Sequence, residues 1–175
     1  MIRTFLSRLA LLAALGFPTI TSLATAATTT TTFPVSMVIS ATCSVQATGM
    51  NFGTVTSGGS YDSNGSITVN CVSGTPYAVA LDKGTSTIPN ARSTSFTHAQ
   101  GTTQLGYELY KDVGKSQVWG DAGFGATYPT GTPVLGTGSG SPQQLTVYGH
   151  ANIPSGNFII PAGTYTDTVT VTVNF

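Results

Sequence analysis

Charge is what this 175-residue sequence has least of: charged residues make up 7% of it, six basic and six acidic, for a formal net charge of zero. Two of the basic residues, Arg3 and Arg8, fall within the first ten positions. A chain so poor in lysine and arginine cannot neutralise a phosphate backbone or an anionic bilayer, which argues against nucleic acid or a charged membrane surface as partner. Helical periodicity is missing as well. Past residue 26 no stretch repeats its apolar residues at helical spacing for more than a turn or two. The apolar run LALLAALGF, Leu9 to Phe17, is far too short to cross a bilayer as a helix. Set between Arg3/Arg8 and the small-x-small triplet Ala24-Thr25-Ala26, it reads as the core of a secretory signal peptide. Residues 1–26 are therefore expected to be removed, the mature chain exported, and no membrane anchor retained.

Residues that carry chemistry are scarce too, with two histidines and two cysteines in the whole sequence. There is no His-Glu-x-x-His pair and no Gly-x-Ser-x-Gly elbow. Neither cysteine belongs to a Cys-x-x-Cys pair, and His98 and His150 are remote from both, so no metal site is expected. The glycines between Gly131 and Gly140 are not followed by Lys-Ser/Thr and read as a flexible connection, not a phosphate loop. No enzyme, catalytic residue or cofactor is expected.

What is present is Thr, Val, Gly and Ser, the mix of many short strands joined by tight turns. Alternating segments occur at 41–48, 66–72, 77–82, 103–111, 144–150 and 164–175, with weaker ones at 50–55 and 158–160. Turn signals separate them at Ser57-Gly58-Gly59, Asn64-Gly65, Ser73-Gly74-Thr75-Pro76 and Lys83-Gly84. Asn64-Gly65 before an alternating run reads as a hairpin turn. The pattern predicts an all-β sandwich in one domain over 41–175. Cys43 shares its strand face with Val45, and Cys71 with Ile67 and Val69, so both point inward. In an oxidising compartment the pair predicts a disulfide, two buried free thiols being the alternative.

Two segments look unpartnered. The cleanest alternation, Tyr165, Asp167, Val169, Val171, Val173 and Phe175 against threonines, has nothing after it to pair with its far edge. At the front, 27–40 places Phe33, Val35, Met37 and Ile39 at every second position, yet Pro34 lacks an amide donor and the preceding threonine tract offers no turn back. A sandwich short of its last strand leaves a hydrophobic groove beside an open edge. Filling it with the front segment of the next molecule mends both defects and, being head to tail, builds a filament. On this reading Phe33, Val35, Met37 and Ile39 form the donor strand and Val169, Val171, Val173 and Phe175 the acceptor strand.

A series of motifs runs in order along the chain: Cys43, Asn51-Phe52-Gly53, Ser66-Ile67-Thr68-Val69-Asn70-Cys71, Val79-Ala80-Leu81-Asp82-Lys83-Gly84, Arg92, Leu105-Gly106-Tyr107-Glu108-Leu109-Tyr110-Lys111-Asp112, Trp119-Gly120-Asp121, Val147-Tyr148-Gly149 and Gly163-Thr164-Tyr165-Thr166-Asp167. In order and spacing they resemble the spore coat protein U domain family, which includes archaic chaperone-usher pilins. The resemblance implies an incomplete immunoglobulin-like sandwich lacking its final strand and completed by donor-strand exchange. It also implies export to the periplasm, capture by a PapD-like chaperone, and passage through an outer-membrane usher. The product would be a surface pilus of neighbouring subunits, used in adhesion and biofilm formation, or a spore coat. A monomeric carbohydrate-binding module is the competing reading, with Trp119 beside a glycine-rich loop as a sugar-stacking platform. Asp167 is expected at the rim, accepting loop N–H groups.

Overall fold

The computed structural model describes residues 26–98, 101–125, 127–155 and 160–175, and the side chains of 94–98 are not part of that description. The chain divides into two units, Met1–Val38 and Ile39–Phe175. In the first, residues 26–38 form no strand, and Phe33, Val35 and Met37 are 84–89% exposed.

The second unit is all-β, with no helix among the described residues. Its strands are β1 (Cys43–Thr48), β2 (Gly59–Cys71), β3 (Pro76–Leu81), β4 (Arg92–His98), β5 (Gly101–Tyr110), β6 (Val134–Thr137), β7 (Gln143–Ile153) and β8 (Val171–Asn174). They form two antiparallel sheets, β1-β2-β7-β5-β4 and β6-β3-β8. The period of two does the sorting. Along β7, Val147, Gly149, Ala151 and Ile153 are buried while Gln144, Thr146 and Asn152 are exposed. The inward rows meet in one core of Ile67, Val69, Cys71, Tyr77, Val79, Leu81, Leu109, Trp119 and Val147.

Several expectations need correcting. Asn64-Gly65 is no hairpin: both residues lie within β2, opposite Tyr148 and Val147 of β7. Gly65 is there for a different reason. Pairing between β1 and β2 stops at Thr48 opposite Ser66, and the departing chain passes so close that a Cβ on Gly65 would sit 2.8 Å from the Thr48 carbonyl oxygen. Nor is 131–140 a flexible connection. It contains β6, whose Gly136 lies on the Tyr77 ring, while a Cβ on Gly138 would come 2.8 Å from the Cys71 Cβ. Segment 50–55 is not a strand, residues 158 and 159 lie outside the described residues, and the expected strand over 164–175 shortens to Val171–Asn174. The reason for that shortening lies in β3. It ends at Leu81, opposite Val171, so the residues before Val171 have no strand of that sheet to pair with.

Candidate functional site

Between segment 47–55 and the chain leading into β8 lies a groove of about 910 Å³. Its floor is core: Ile67, Leu81, Leu109, Val147, Ala151 and Ile153. Met50 and Phe52 are on one lip, and 160–167 with Val169 and Val171 on the other. The second lip also carries an open backbone edge. β8 ends its sheet, with β3 on one side and no strand on the other among the described residues. The Thr170 carbonyl accepts the Asp82 N–H at 3.2 Å, and the Thr170 N–H donates to the Asp82 carboxylate at 2.8 Å. Even-numbered residues thus turn their backbone groups toward β3, and Val169, Val171 and Val173 turn theirs to the open side, while their side chains lie inward and half-buried. An apolar floor flanked by backbone groups turned to an open sheet edge is suited to an extended peptide whose alternate side chains are apolar.

The lip ahead of β8 is held by side chains. Over 164–170 there is one isolated bridge, at Thr166, and no ladder. Asp167 Oδ1 accepts from Thr85 N (2.8 Å), Thr85 Oγ1 (2.6 Å) and Thr168 N (2.8 Å), and Oδ2 accepts from the Tyr107 hydroxyl at 2.6 Å. Partial burial pushes the Asp167 carboxyl up, but the bonds from Thr85, Tyr107 and Thr168 outweigh it and hold the group below the usual aspartate value. Burial, and then the bond to Asp167, push the Tyr107 hydroxyl far up, so it stays a donor. Gly84 makes the close approach possible: its φ is +70°, and a Cβ there would fall 2.7 Å from the Asp167 carboxyl carbon.

Beneath the same corner Arg92 is buried, 1% exposed. Its Nε donates to the Asp82 carbonyl and Nη2 to the Leu81 carbonyl, both at 2.9 Å, and Nη1 pairs with Glu108 at 2.8 Å. The guanidinium stacks on the Tyr128 ring at 4.2 Å, and the Tyr128 hydroxyl donates to Glu108. Asp121 accepts from Thr127 N, Thr127 Oγ1 and Tyr128 N at 2.6–2.9 Å, pinning the loop that carries Tyr128.

The expected site residues are distributed unevenly over this geometry. Val169 and Val171 line the groove; Val173 packs against the core outside it, and Phe175 is 60% exposed. Cys43 and Cys71 are bridged, at directly opposed positions of β1 and β2. Trp119 is 1% exposed and donates its indole N–H to the Val79 carbonyl at 2.8 Å, so it is a core residue and offers no face to a sugar. His150 pairs with Asp62 at 2.6 Å, and Lys115 Nζ lies 2.5 Å from the same carboxylate, which the Lys115 and then the His150 bond hold below its usual value. The parts sequence reasoning missed are Tyr107, Thr85, Met50 and Phe52. The motifs containing Tyr107 and Phe52 were visible, but no local pattern says that a tyrosine on one strand reaches an aspartate sixty residues on.

Comparison with known proteins agrees with this architecture. Protein U of Myxococcus xanthus is 37% identical over 117 residues, a match spanning 63% of this chain and 59% of that protein's length. A chain in the crystal structure of the chaperone–tip adhesion subunit pre-assembly complex from the archaic chaperone-usher Csu pili of Acinetobacter baumannii superposes with a TM-score of 0.51 at 25% identity. That match covers 78% of this chain and 40% of the other. These likenesses point to a structural, non-enzymatic protein with an immunoglobulin-like sandwich. The family model of the Spore Coat Protein U domain matches residues 29–172, most of the chain. The chain belongs to the Spore Coat Protein U domain family.

Proposed function

We propose that this protein is the subunit of a chaperone-usher surface pilus, joined to its neighbours by donor-strand complementation and serving adhesion and biofilm formation. The observation that carries the reading is the apolar groove with the open edge of β8 along one lip. After loss of the leader, residues 27–40 act as donor strand for the next subunit and 41–175 as the acceptor domain. In the periplasm a PapD-like chaperone fills the groove first, and the outer-membrane usher exchanges its strand for the donor segment. The complex containing the structural neighbour, a chaperone with a tip adhesion subunit, supports that order of partners.

The donor sequence favours one direction of insertion. In an antiparallel pair the inward residues of the two strands face one another and exchange their own N–H and C=O groups. Phe33, Val35, Met37 and Ile39 would then bond to β8, and Pro34, of the opposite parity, would turn its missing N–H away. In a parallel pair β8 would bond instead to residues of Pro34's parity, leaving one carbonyl unpaired, a loss of ~1 kcal/mol or more. Burying the four donor side chains at ~1.5–3 kcal/mol each makes the joint very stable.

Deleting residues 27–39 tests this. The truncated subunit should still be recovered with its chaperone, whereas the ladder of multimers on an unboiled denaturing gel should vanish. Ladders that persist without the segment would rule out its donor role. A coat built by the same joint would show the same ladder; electron microscopy of whole cells distinguishes thin fibres from a sheath.

A further inference from the structure

The lip of the groove runs through 164–170 with one isolated bridge and no ladder beside it, and two carboxylates hold it there. Asp82 takes the N–H groups of Gly84 and Thr170; Asp167 takes bonds from Thr85, Thr168 and Tyr107. Tyr107 has a second attachment. Its ring lines the groove and lies 6.2 Å, centroid to centroid, from the ring of Phe52 on the opposite lip. One side chain therefore spans the gap between the lips, contacting each at a different atom. Of the residues that grip Asp167 from outside the lip, Thr85 lies in the β3–β4 connection and Tyr107 on β5.

We propose that Tyr107, Thr85 and Asp167 form a polar latch that preorganises the empty groove, Asp167 acting as a positioning residue that sets how fast an incoming strand is accepted. This rests on the acceptor reading above and adds its regulation. Without the latch, the lip must be ordered at the moment of docking, so only a fraction of empty subunits is competent and the apparent on-rate falls by that fraction. Once a strand lies along the edge, its ladder holds the lip and the latch becomes redundant. Loss of the latch should therefore slow uptake much more than it speeds release. A residue that merely stabilised the fold would instead lower the stability of the filled form.

The probe is a synthetic peptide of residues 27–40, offered to the full chain refolded from denaturant without chaperone, so that the groove is empty when the peptide arrives. Wild type, Asp167→Asn and Tyr107→Phe are compared for uptake rate, release rate and amide exchange. The latch predicts uptake slowed about tenfold in both variants, with release changed less than about twofold. It also predicts lost protection at Thr85 and Thr168 with β2 and β7 intact. Equal uptake in all three proteins overturns the latch while leaving the acceptor reading standing; failure of wild type itself to take up the peptide overturns both. If Asp167→Asn loses protection across β2 and β7, Tyr107→Phe decides the matter, since it removes one hydroxyl and keeps the ring.

Discussion

Arg92 shows how much one residue can organise. Its three nitrogens serve two carbonyls at the end of β3 and the Glu108 carboxylate, and its flat face lies on Tyr128. Lysine, a point charge without the planar fork, cannot make those contacts together. Arg92→Ala takes the counter-charge from Glu108, which keeps the Tyr128 hydroxyl and the Leu109 N–H, and leaves two carbonyls without their donor; it should cost about 2–4 kcal/mol, read as a shift in the denaturation midpoint. The last residues of β3 and the start of β8 should loosen first, because the carbonyls Arg92 holds are those of Leu81 and Asp82, which neighbour Val171 and Thr170. From the sequence Arg92 was visible only as a motif member; a lone arginine among serines and threonines gives no sign that it lies inside. The rim role of Asp167 was legible, because a charge on an otherwise apolar row needs local donors.

Strands differed in legibility for a physical reason. β7 buries one face and exposes the other and β3 buries nearly everything, so period and residue type announce them, whereas β1, mostly exposed, and β5, mostly half-buried, were legible from their residue types. β4 is mostly serine and threonine, and β6 is four residues containing a glycine, so neither carries an apolar stripe to read. Glycine misled in both directions: Asn64-Gly65 suggested a turn where a crossing chain needs room, and Gly131 to Gly140 suggested mobility where backbones pack tightly. A paired substitution separates such glycines. Gly138→Ala, pressed between the Val72 carbonyl and the Cys71 Cβ, should lower stability by about 1–3 kcal/mol. Gly49→Ala, with nothing within 4 Å of its new methyl, should leave the melting midpoint nearly unchanged.

At the scale of the whole molecule, the disulfide has a mechanical meaning. Cys43 opens β1 only four residues after Ile39, the last residue of the proposed donor segment, and is bridged to Cys71 at the far end of β2, the partner of β7 in the wider sheet. In the proposed fibre, a pull on that segment would enter the domain at this point. Without the bridge the load would fall on the end of β1, an edge strand with five of its six residues exposed, and could peel its ladder from β2 one rung at a time. With it, tension passes through covalent bonds into a strand paired on both sides. Single fibres stretched by optical tweezers should therefore yield at markedly lower force when both cysteines are serine, and at an unchanged force when the disulfide is intact and only the rim pair Lys115–Asp62 is broken. Equal yield forces for the double-serine and native fibres would place the weak link elsewhere. In the proposed fibre, the bond that staples a small sandwich against unfolding is also the cable fitting of a thread under tension.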